Sequence, residues 1–152
     1  MKYELKTQID IQAPAAKVWE ALTDFASYPN WNPFIKNLSG TVEPGQNICL
    51  RLEPPGAKGM TFKPTVLDFK TNTLFRWQGH LWIKGLFDGL HAFEIIDHGN
   101  GTCTFIQSEG FGGLLVGLFK NMIDNQTRKG FEMMNEALKK RAEIDLITLS
   151  NQ

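Results

Sequence analysis

A histidine and a glutamate are the side chains of this sequence best placed for acid–base chemistry inside a fold. The apolar alternation of segment 86–97 places His91 on the inner face of a predicted strand. Glu109 falls on the inner face of a second predicted strand, 102–109. The two residues lie at matching distances from a predicted turn at 98–101, so we expect them to pair across an antiparallel ladder, to within about two residues.

Both residues also have a purely structural interpretation. A lone histidine on an apolar face is most often a satisfied core residue, and Glu109 could end its strand in solvent. As a functional residue, His91 is predicted to be the principal polar contact of an internal cavity, oriented by Glu109 or Gln107. A neutral imidazole donates and accepts, so one ring nitrogen can be held by the protein while the other faces a ligand. The same pair could instead act as general acid and base.

Other chemistries find little support in the sequence. The three histidines have no metal-ligand spacing, so neither a metal nor a cofactor is expected. The glycine-rich stretch 109–113 lacks the Lys-Ser/Thr of a phosphate-binding loop. Ser108 has no G-x-S-x-G context and Cys103 no local nucleophile signature, which argues against a covalent hydrolase.

Composition narrows the class of protein further. The 152 residues carry 16 basic and 16 acidic side chains, which argues against nucleic acid as a partner because such proteins need a clustered basic face. No apolar run reaches the ~18 residues of a membrane span, so no integral membrane segment is expected. The two cysteines indicate buried thiols in a reducing compartment. With no predicted signal peptide, we expect a cytoplasmic protein.

The elements that must position these residues follow from periodicity and turn signals. Alternation over 3–11 predicts a strand, and Pro14 fits the first position of a short helix, which a second short helix follows. Apolar residues at helical spacing predict one long helix over about 115–143. Residues 1–145 are predicted to form a single domain, and residues 146–152 a C-terminal tail that frays or lacks order. Turn-bounded runs predict further strands over 34–42, 46–53, 60–69, 73–82, 86–97 and 102–109.

Helices segregated from an antiparallel sheet are typical of the α+β class. The predicted architecture is a seven-stranded, curved antiparallel sheet wrapped around the long C-terminal helix, with two short helices between the first and second strands. Such a sheet encloses volume against the helix. We therefore expect an internal cavity there, of the ~300–1,000 Å³ typical of pockets for drug-sized ligands.

Four stretches of the chain resemble a known superfamily or one branch of it. Two of them are Ile11-x-Ala13-Pro14-x-x-x-Val18-Trp19-x-x-Leu22-Thr23-Asp24-Phe25 and Tyr28-Pro29-x-Trp31-Asn32-Pro33-Phe34. Together with the element order and the final long helix, they resemble, over residues 3–143, the START-like (SRPBCC) superfamily, which has the helix-grip fold and is also described as polyketide cyclase/dehydrase-like. Two further stretches resemble a bacterial branch whose members mostly lack an assigned reaction: Gly85-Leu86-Phe87-Asp88-Gly89-x-His91-x-Phe93-Glu94 and Glu109-x-Phe111-x-Gly113-Leu114-Leu115. The superfamily includes lipid and hormone binders and polyketide aromatase/cyclases, so the resemblance implies a cavity and leaves the chemistry open.

Three functions are compatible with these features. We favour binding of a small hydrophobic or amphipathic molecule, such as a lipid, an isoprenoid or a polyketide-like aromatic, by a monomer or homodimer. The first alternative is a cyclase/aromatase- or dehydratase-type enzyme that uses His91 and Glu109. The second is a protein-interaction or chaperone-like module. Besides these two residues, alternation and the helix stripe predict as cavity wall Leu50, Phe62, Val66, Phe75, Trp77, Phe93, Phe105, Gln107, Phe119, Ile123 and Gln126.

Overall fold

The described chain begins with a strand and two short helices, continues through a series of antiparallel strands and ends in a long helical segment. The computed structural model describes residues 2–150, and the side chains of residues 2–144. A 3₁₀ turn lies at Phe25–Ser27 and a π-helical turn at Ile123–Thr127. The strands are β1 (Tyr3–Ile11), β2 (Ile35–Ser39), β3 (Cys49–Leu52), β4 (Met60–Phe62), β5 (Thr65–Lys70), β6 (Leu74–Leu81), β7 (Phe87–Asp97) and β8 (Cys103–Gly112). The helices are α1 (Ala15–Thr23), α2 (Tyr28–Trp31), α3 (Val116–Met122) and α4 (Arg128–Ser150).

The strands form two antiparallel sheets rather than the single seven-stranded sheet predicted from the sequence. One has the order β1-β8-β7-β6-β5, and the other has the order β2-β3-β4. The predicted strand 60–69 is divided because Pro64 has no N–H to donate to a ladder. The sheets stay joined by individual backbone hydrogen bonds, such as that from Ile48 N–H to Pro64 O at 3.0 Å. The prediction of one continuous sheet is therefore wrong, although both sheets contribute to one hydrophobic core.

The long C-terminal helix supplies the other side of this core. Phe131, Met134 and Leu138 of α4 are fully buried at the three- and four-residue spacing of an amphipathic helix. The helix contacts α1 and the strands β1 and β8 of the larger sheet. This confirms the predicted α+β fold with a long C-terminal helix and an antiparallel sheet. No helix among the described residues is long and apolar enough to cross a membrane.

The π-helical turn Ile123–Thr127 lies where Gln126 and Thr127 interrupt the row of apolar residues along the C-terminal helical segment. It follows α3 directly and leads into α4 without a break in the helical backbone. Because a π turn holds more residues than an α turn, it shifts the inward face between α3 and α4. The helical backbone continues to Ser150 rather than ending near residue 143. The predicted tail 146–152 thus falls partly in α4, residues 151–152 lie outside the described residues, and the domain boundary at residue 145 stays a prediction.

Two side chains of α4, Lys139 and Glu143, form hydrogen bonds with the backbone at the end of β1. Lys139 Nζ donates to Asp10 O at 2.8 Å and to Glu143 Oε1 at 2.6 Å. The backbone N–H of Gln12 donates to the same carboxylate at 2.8 Å. Burial alone would raise the pKa of Glu143, but these hydrogen bonds hold it below its ordinary value.

The two cysteines are free and differ in burial. Cys103 in β8 is fully buried, whereas Cys49 in β3 is half-buried. Burial, reinforced by the nearby carboxylates of Asp97 and Asp10, raises the pKa of the Cys103 thiol to about 11. The expectation of a fully buried thiol therefore holds for Cys103 only, and this thiol stays protonated at neutral pH.

Candidate functional site

A small cavity lies between the two sheets and the helical segment around the π turn. Strands β6, β7 and β8 form one wall, β3 and β4 form another, and Met122 and Thr127 close it from the helix. Its volume is about 70 Å³, well below the ~300–1,000 Å³ of pockets for drug-sized ligands. The cavity lies between sheet and helix as expected, but the predicted size is wrong for this conformation.

Two glycines of the cavity wall allow neighbouring groups to approach the sheet closely. Gly79 of β6 and Gly89 of β7 pair directly across the ladder and both line the cavity. A Cβ atom on Gly89 would lie 2.6 Å from Glu109 Oε1, and one on Gly79 would lie 3.1 Å from Pro64 Cβ. Because neither position carries a side chain, the sheet surface recedes there, and neighbouring groups approach the backbone closely.

His91 is the polar residue buried deepest in the cavity wall. Only 2% of its surface is exposed. Its ring stacks on Trp77 at a centroid distance of 4.5 Å and an interplanar angle of 5°, with Phe131 edge-on at 5.1 Å. Its Nε2 atom is buried and has no hydrogen-bond partner among the described residues. A buried imidazole nitrogen without a hydrogen-bond partner lowers the stability of the fold. A ligand that forms a hydrogen bond to this atom would remove that penalty.

Glu109 lies directly opposite His91 in the β7–β8 ladder. Its Oε2 atom is 3.8 Å from His91 Nδ1, which is longer than a hydrogen bond and short enough for a charge interaction. The Glu109 side chain is 17% exposed and lines the cavity. The predicted pairing of the two residues is confirmed, and their functional role stays a prediction. A ligand atom beside them would meet an imidazole and a carboxylate, the two groups of a general acid–base pair.

Gln107, the other predicted partner of His91, belongs to a different network. Its Nε2 atom donates to Asn135 Oδ1 on α4 at 2.8 Å, and Asn135 Nδ2 donates to Thr7 Oγ1 at 2.9 Å. Thr7 Oγ1 in turn donates to Gln107 O at 3.2 Å. These bonds join α4 to β1 and β8. Gln107 does not line the cavity, so the expectation that it orients His91 there is wrong.

The other predicted wall residues divide into cavity and core. Leu50, Phe62 and Trp77 line the cavity. Phe119 packs against Phe87 at a ring distance of 5.1 Å without reaching the void. Gln126 lies under the loop before β4, with its Cγ atom 3.9 Å from the Cβ position of Gly56. The residues that lie in the closed core instead are Val66, Phe75, Phe93, Phe105 and Ile123.

Several lining residues were not among the predicted ones. The sequence carries an indication for some, because alternation puts Gly79, Gly89 and their neighbours on the inner face, and an inward glycine marks a gap. Phe34 lies outside any strand and has no such indication. It is held by the buried Asn32, whose Oδ1 accepts hydrogen bonds from the N–H groups of Phe34 and Ile35 at 3.0 and 2.9 Å. Alternation puts Leu52, Met60, Pro64, Gly79, Leu81, Phe87 and Gly89 on inner strand faces, Thr127 lies on the helix face expected toward the sheet, and Pro54 begins the loop expected at the cavity entrance. The lining residues with no such indication are Phe34, His80, Phe111 and Met122.

Comparison with known proteins identifies domains with the same fold. Residues 2–143 match the family described as "Polyketide cyclase / dehydrase and lipid transport". No curated protein sequence matches significantly.

Three solved structures show the same fold at low sequence identity. The Zhui aromatase/cyclase from Streptomyces sp. R1128 is 15% identical with a TM-score of 0.73, over 93% of this chain and 93% of that chain. Norcoclaurine synthase from Thalictrum flavum, in complex with dopamine and hydroxybenzaldehyde, is 15% identical with a TM-score of 0.69, over 99% and 88%. A START superfamily protein from Mycobacterium smegmatis is 19% identical with a TM-score of 0.72, over 92% and 97%.

Proposed function

Because the chain belongs to the polyketide cyclase/dehydrase and lipid transport family, we propose that it binds a small hydrophobic or amphipathic molecule in the cavity beside His91. The resemblance to the START-like superfamily predicted from the sequence is confirmed by this match and by the structural neighbours. Family membership supports a ligand-binding or cyclase role at a coarse level. The chemistry of the site has to supply the rest.

The observation that carries the proposal is the unpartnered Nε2 atom of His91. It is the buried side-chain nitrogen of the cavity wall, and it lies among aromatic rings. A ligand hydroxyl or carbonyl placed there would satisfy it, and the ligand's apolar body would contact Phe62, Phe87 and Leu50. The preferred ligand is therefore apolar over most of its surface and has one oxygen that reaches the imidazole.

The small volume of the cavity sets a condition on this ligand. A molecule larger than the void can be accommodated only if the wall moves. The loop Pro54–Gly59 and the segment Trp82–Gly85 are the proposed entrance to the cavity, and Pro54 itself lines the cavity. Opening of these segments would enlarge the site without disturbing the core beneath it.

A matched pair of probes tests the polar contact. 2-Naphthol and naphthalene share one apolar body, and only the first has a hydroxyl group. We expect the wild-type protein to prefer 2-naphthol by roughly 5- to 150-fold, which corresponds to about 1–3 kcal/mol for the hydrogen bond to the buried nitrogen. His91→Phe keeps the stack on Trp77 and should abolish that preference. His98→Phe, which changes an exposed histidine at the β7–β8 turn, should leave it intact.

The outcome that would contradict the proposal is equally clear. If His91→Phe folds normally and binds 2-naphthol as tightly as the wild-type protein does, His91 is only a core residue. Native mass spectrometry of the purified protein, before any delipidation, provides an independent readout, because a retained small molecule identifies the ligand class directly.

A second candidate function has its own supporting observation, the position of Glu109 at 3.8 Å from His91. In a cyclase/aromatase- or dehydratase-type reaction, one of the two groups would remove a proton next to a carbonyl while the other protonates the departing oxygen. Glu109→Gln should then lower turnover of a β-keto substrate ~10²–10⁴-fold. It should leave 2-naphthol affinity nearly unchanged, because the hydrogen bond to His91 Nε2 remains. Absence of any turnover by the wild-type protein over a range of β-keto substrates would argue against this candidate.

A further inference from the structure

Four large apolar side chains are exposed side by side at one end of the larger sheet. Trp82 and Ile83 lie in the β6–β7 loop and are 61% and 64% exposed, and Leu114 and Leu118, before and within α3, are 77% and 75% exposed. Backbone hydrogen bonds join the two segments, with Leu114 N–H donating to Gly85 O at 3.0 Å. We call these four residues the apolar rim. Such a contiguous exposed cluster marks an interaction surface.

The backbone of the rim is built to hold these side chains outward. Trp82 has φ of 66°, in the left-handed region that a bulky residue occupies only at a cost in free energy. Gly113 has φ of 105°, and a Cβ atom on it would lie 2.4 Å from Leu86 O. The α3 segment is thereby held close against the β6–β7 loop, with both sets of apolar side chains on the surface.

Lysines accompany the apolar rim. Lys84 follows Ile83 in the loop, and Lys2 donates to Gly113 O at 3.3 Å; neither pairs with a carboxylate among the described residues. Two acidic groups of the adjoining segments are engaged locally, since Asp88 accepts a hydrogen bond from Gly85 N–H and Asp124 pairs with Lys120 at 3.8 Å. Lysines around exposed Trp, Ile and Leu are complementary to a membrane surface, where tryptophan prefers the headgroup region and lysine attracts anionic lipids.

The rim is also continuous with the cavity. The ring of Trp82 lies 6.0 Å from that of Phe119, which lies 5.1 Å from the ring of Phe87 on the cavity wall. An apolar molecule could therefore pass from the rim to the cavity along aromatic surface. The π-helical turn after α3 interrupts the regular α-helical hydrogen bonding, and we expect α3 to move about this point when a ligand passes.

We propose that the apolar rim docks this protein on an anionic lipid bilayer and that its ligand is drawn from that bilayer. Docking stands on the rim itself, whereas the passage of a ligand to the cavity rests on the function proposed above. The ligand class is then a membrane-partitioned lipid or isoprenoid with an oxygen-bearing head, rather than a water-soluble aromatic.

The test is sedimentation with vesicles of phosphatidylcholine that contain about 30% phosphatidylglycerol, compared with pure phosphatidylcholine vesicles. We expect the wild-type protein to bind the anionic vesicles more tightly, and the binding to weaken between about 0.1 and 1 M salt as the charges are screened. Ile83→Glu and Leu118→Glu should each reduce binding roughly tenfold or more, since a carboxylate resists burial in the bilayer interface.

Ile96→Glu is the matched control. Ile96 is 51% exposed near the opposite end of β7, so this substitution should leave vesicle binding unchanged. Circular dichroism establishes that each variant is folded, and two rim variants on separate segments protect against a local folding defect. 2-Naphthol binding should survive Leu118→Glu, because Leu118 is exposed and lies outside the cavity wall.

Two results would overturn the inference: no sedimentation of the wild-type protein with anionic vesicles, or an equal loss of vesicle binding in Ile96→Glu. Self-association that Ile83→Glu abolishes, together with the first result, would assign the rim to a second copy of this chain. In each case, intact 2-naphthol binding would leave the proposed function standing. If the wild-type protein shows no preference for 2-naphthol over naphthalene, that result would contradict the proposed function and not the docking.

Discussion

Substitution of Gly130 by alanine tests how closely helix α4 approaches the cavity wall. Gly130 is buried, and a Cβ atom there would lie 2.5 Å from Cδ1 and 2.8 Å from Cε1 of Phe34. The ring of Phe34 is itself 1% exposed and packs edge-on against Phe131 at 5.4 Å. These distances are too short for a real Cβ contact, so the ring or the helix must shift.

Two opposing contributions decide the magnitude. Alanine favours the helix over glycine by about 0.8–1 kcal/mol, whereas an extra group forced into a packed core costs about 1–3 kcal/mol. Because the atoms in conflict belong to a fully buried ring rather than to the end of a flexible chain, we expect the clash to prevail by about 1 kcal/mol. For a domain of this size, that lowers Tm by about 2–4 °C. If Phe34 relaxes into the cavity that it lines, Gly130→Ala should also weaken 2-naphthol binding.

Gly117→Ala is the matched control for this experiment. Gly117 lies in α3, and no heavy atom approaches within 4 Å of its Cβ position. The same chemical change should therefore stabilise the protein by up to about 1 kcal/mol through helix propensity alone. Thermal and urea unfolding followed by circular dichroism measure both variants. A Gly130→Ala protein as stable as Gly117→Ala would refute the close approach between α4 and Phe34.

Further predictions concern the cavity, the thiols and the C-terminal helix. Gly89→Ala should weaken 2-naphthol binding, because the added methyl group pushes the Glu109 side chain into the small cavity that both residues line; unchanged affinity in a calorimetric titration would contradict this. A thiol reagent at pH about 8 should label Cys49 in the native protein and Cys103 only after unfolding, because burial keeps the second thiol protonated; mass spectrometry locates the label. Hydrogen bonds lower the pKa of folded Glu143, so the stability advantage of wild-type protein over Glu143→Gln should be full near neutral pH. It should disappear as pH falls from about 5 to about 3, as urea unfolding at each pH would show.

The sequence contained enough to bring His91 and Glu109 together. Two residues at similar distances from a short turn lie close together in an antiparallel hairpin, and alternation predicts which face each occupies. That local rule brings His91 and Glu109 to within about two residues of each other, and the β7–β8 ladder pairs them directly. The class of fold followed in a similar way from element order, since a long amphipathic helix needs a sheet to cover its apolar side.

Tertiary structure decided where the strands break and where the cavity lies. Pro64 divides one predicted strand, and a bulge between Val66 and Asp68 puts Val66 and Phe69 opposite inward residues of β6 despite their odd spacing. Alternation predicts which face of the sheet a residue occupies, but not whether that residue contacts a cavity or other side chains. Phe75, for example, is predicted to line the cavity, and it lies in the closed core. Whether an inward residue meets a void depends on what lies opposite it, and here that is set by how the two sheets and the helical segment at Met122 and Thr127 pack against one another.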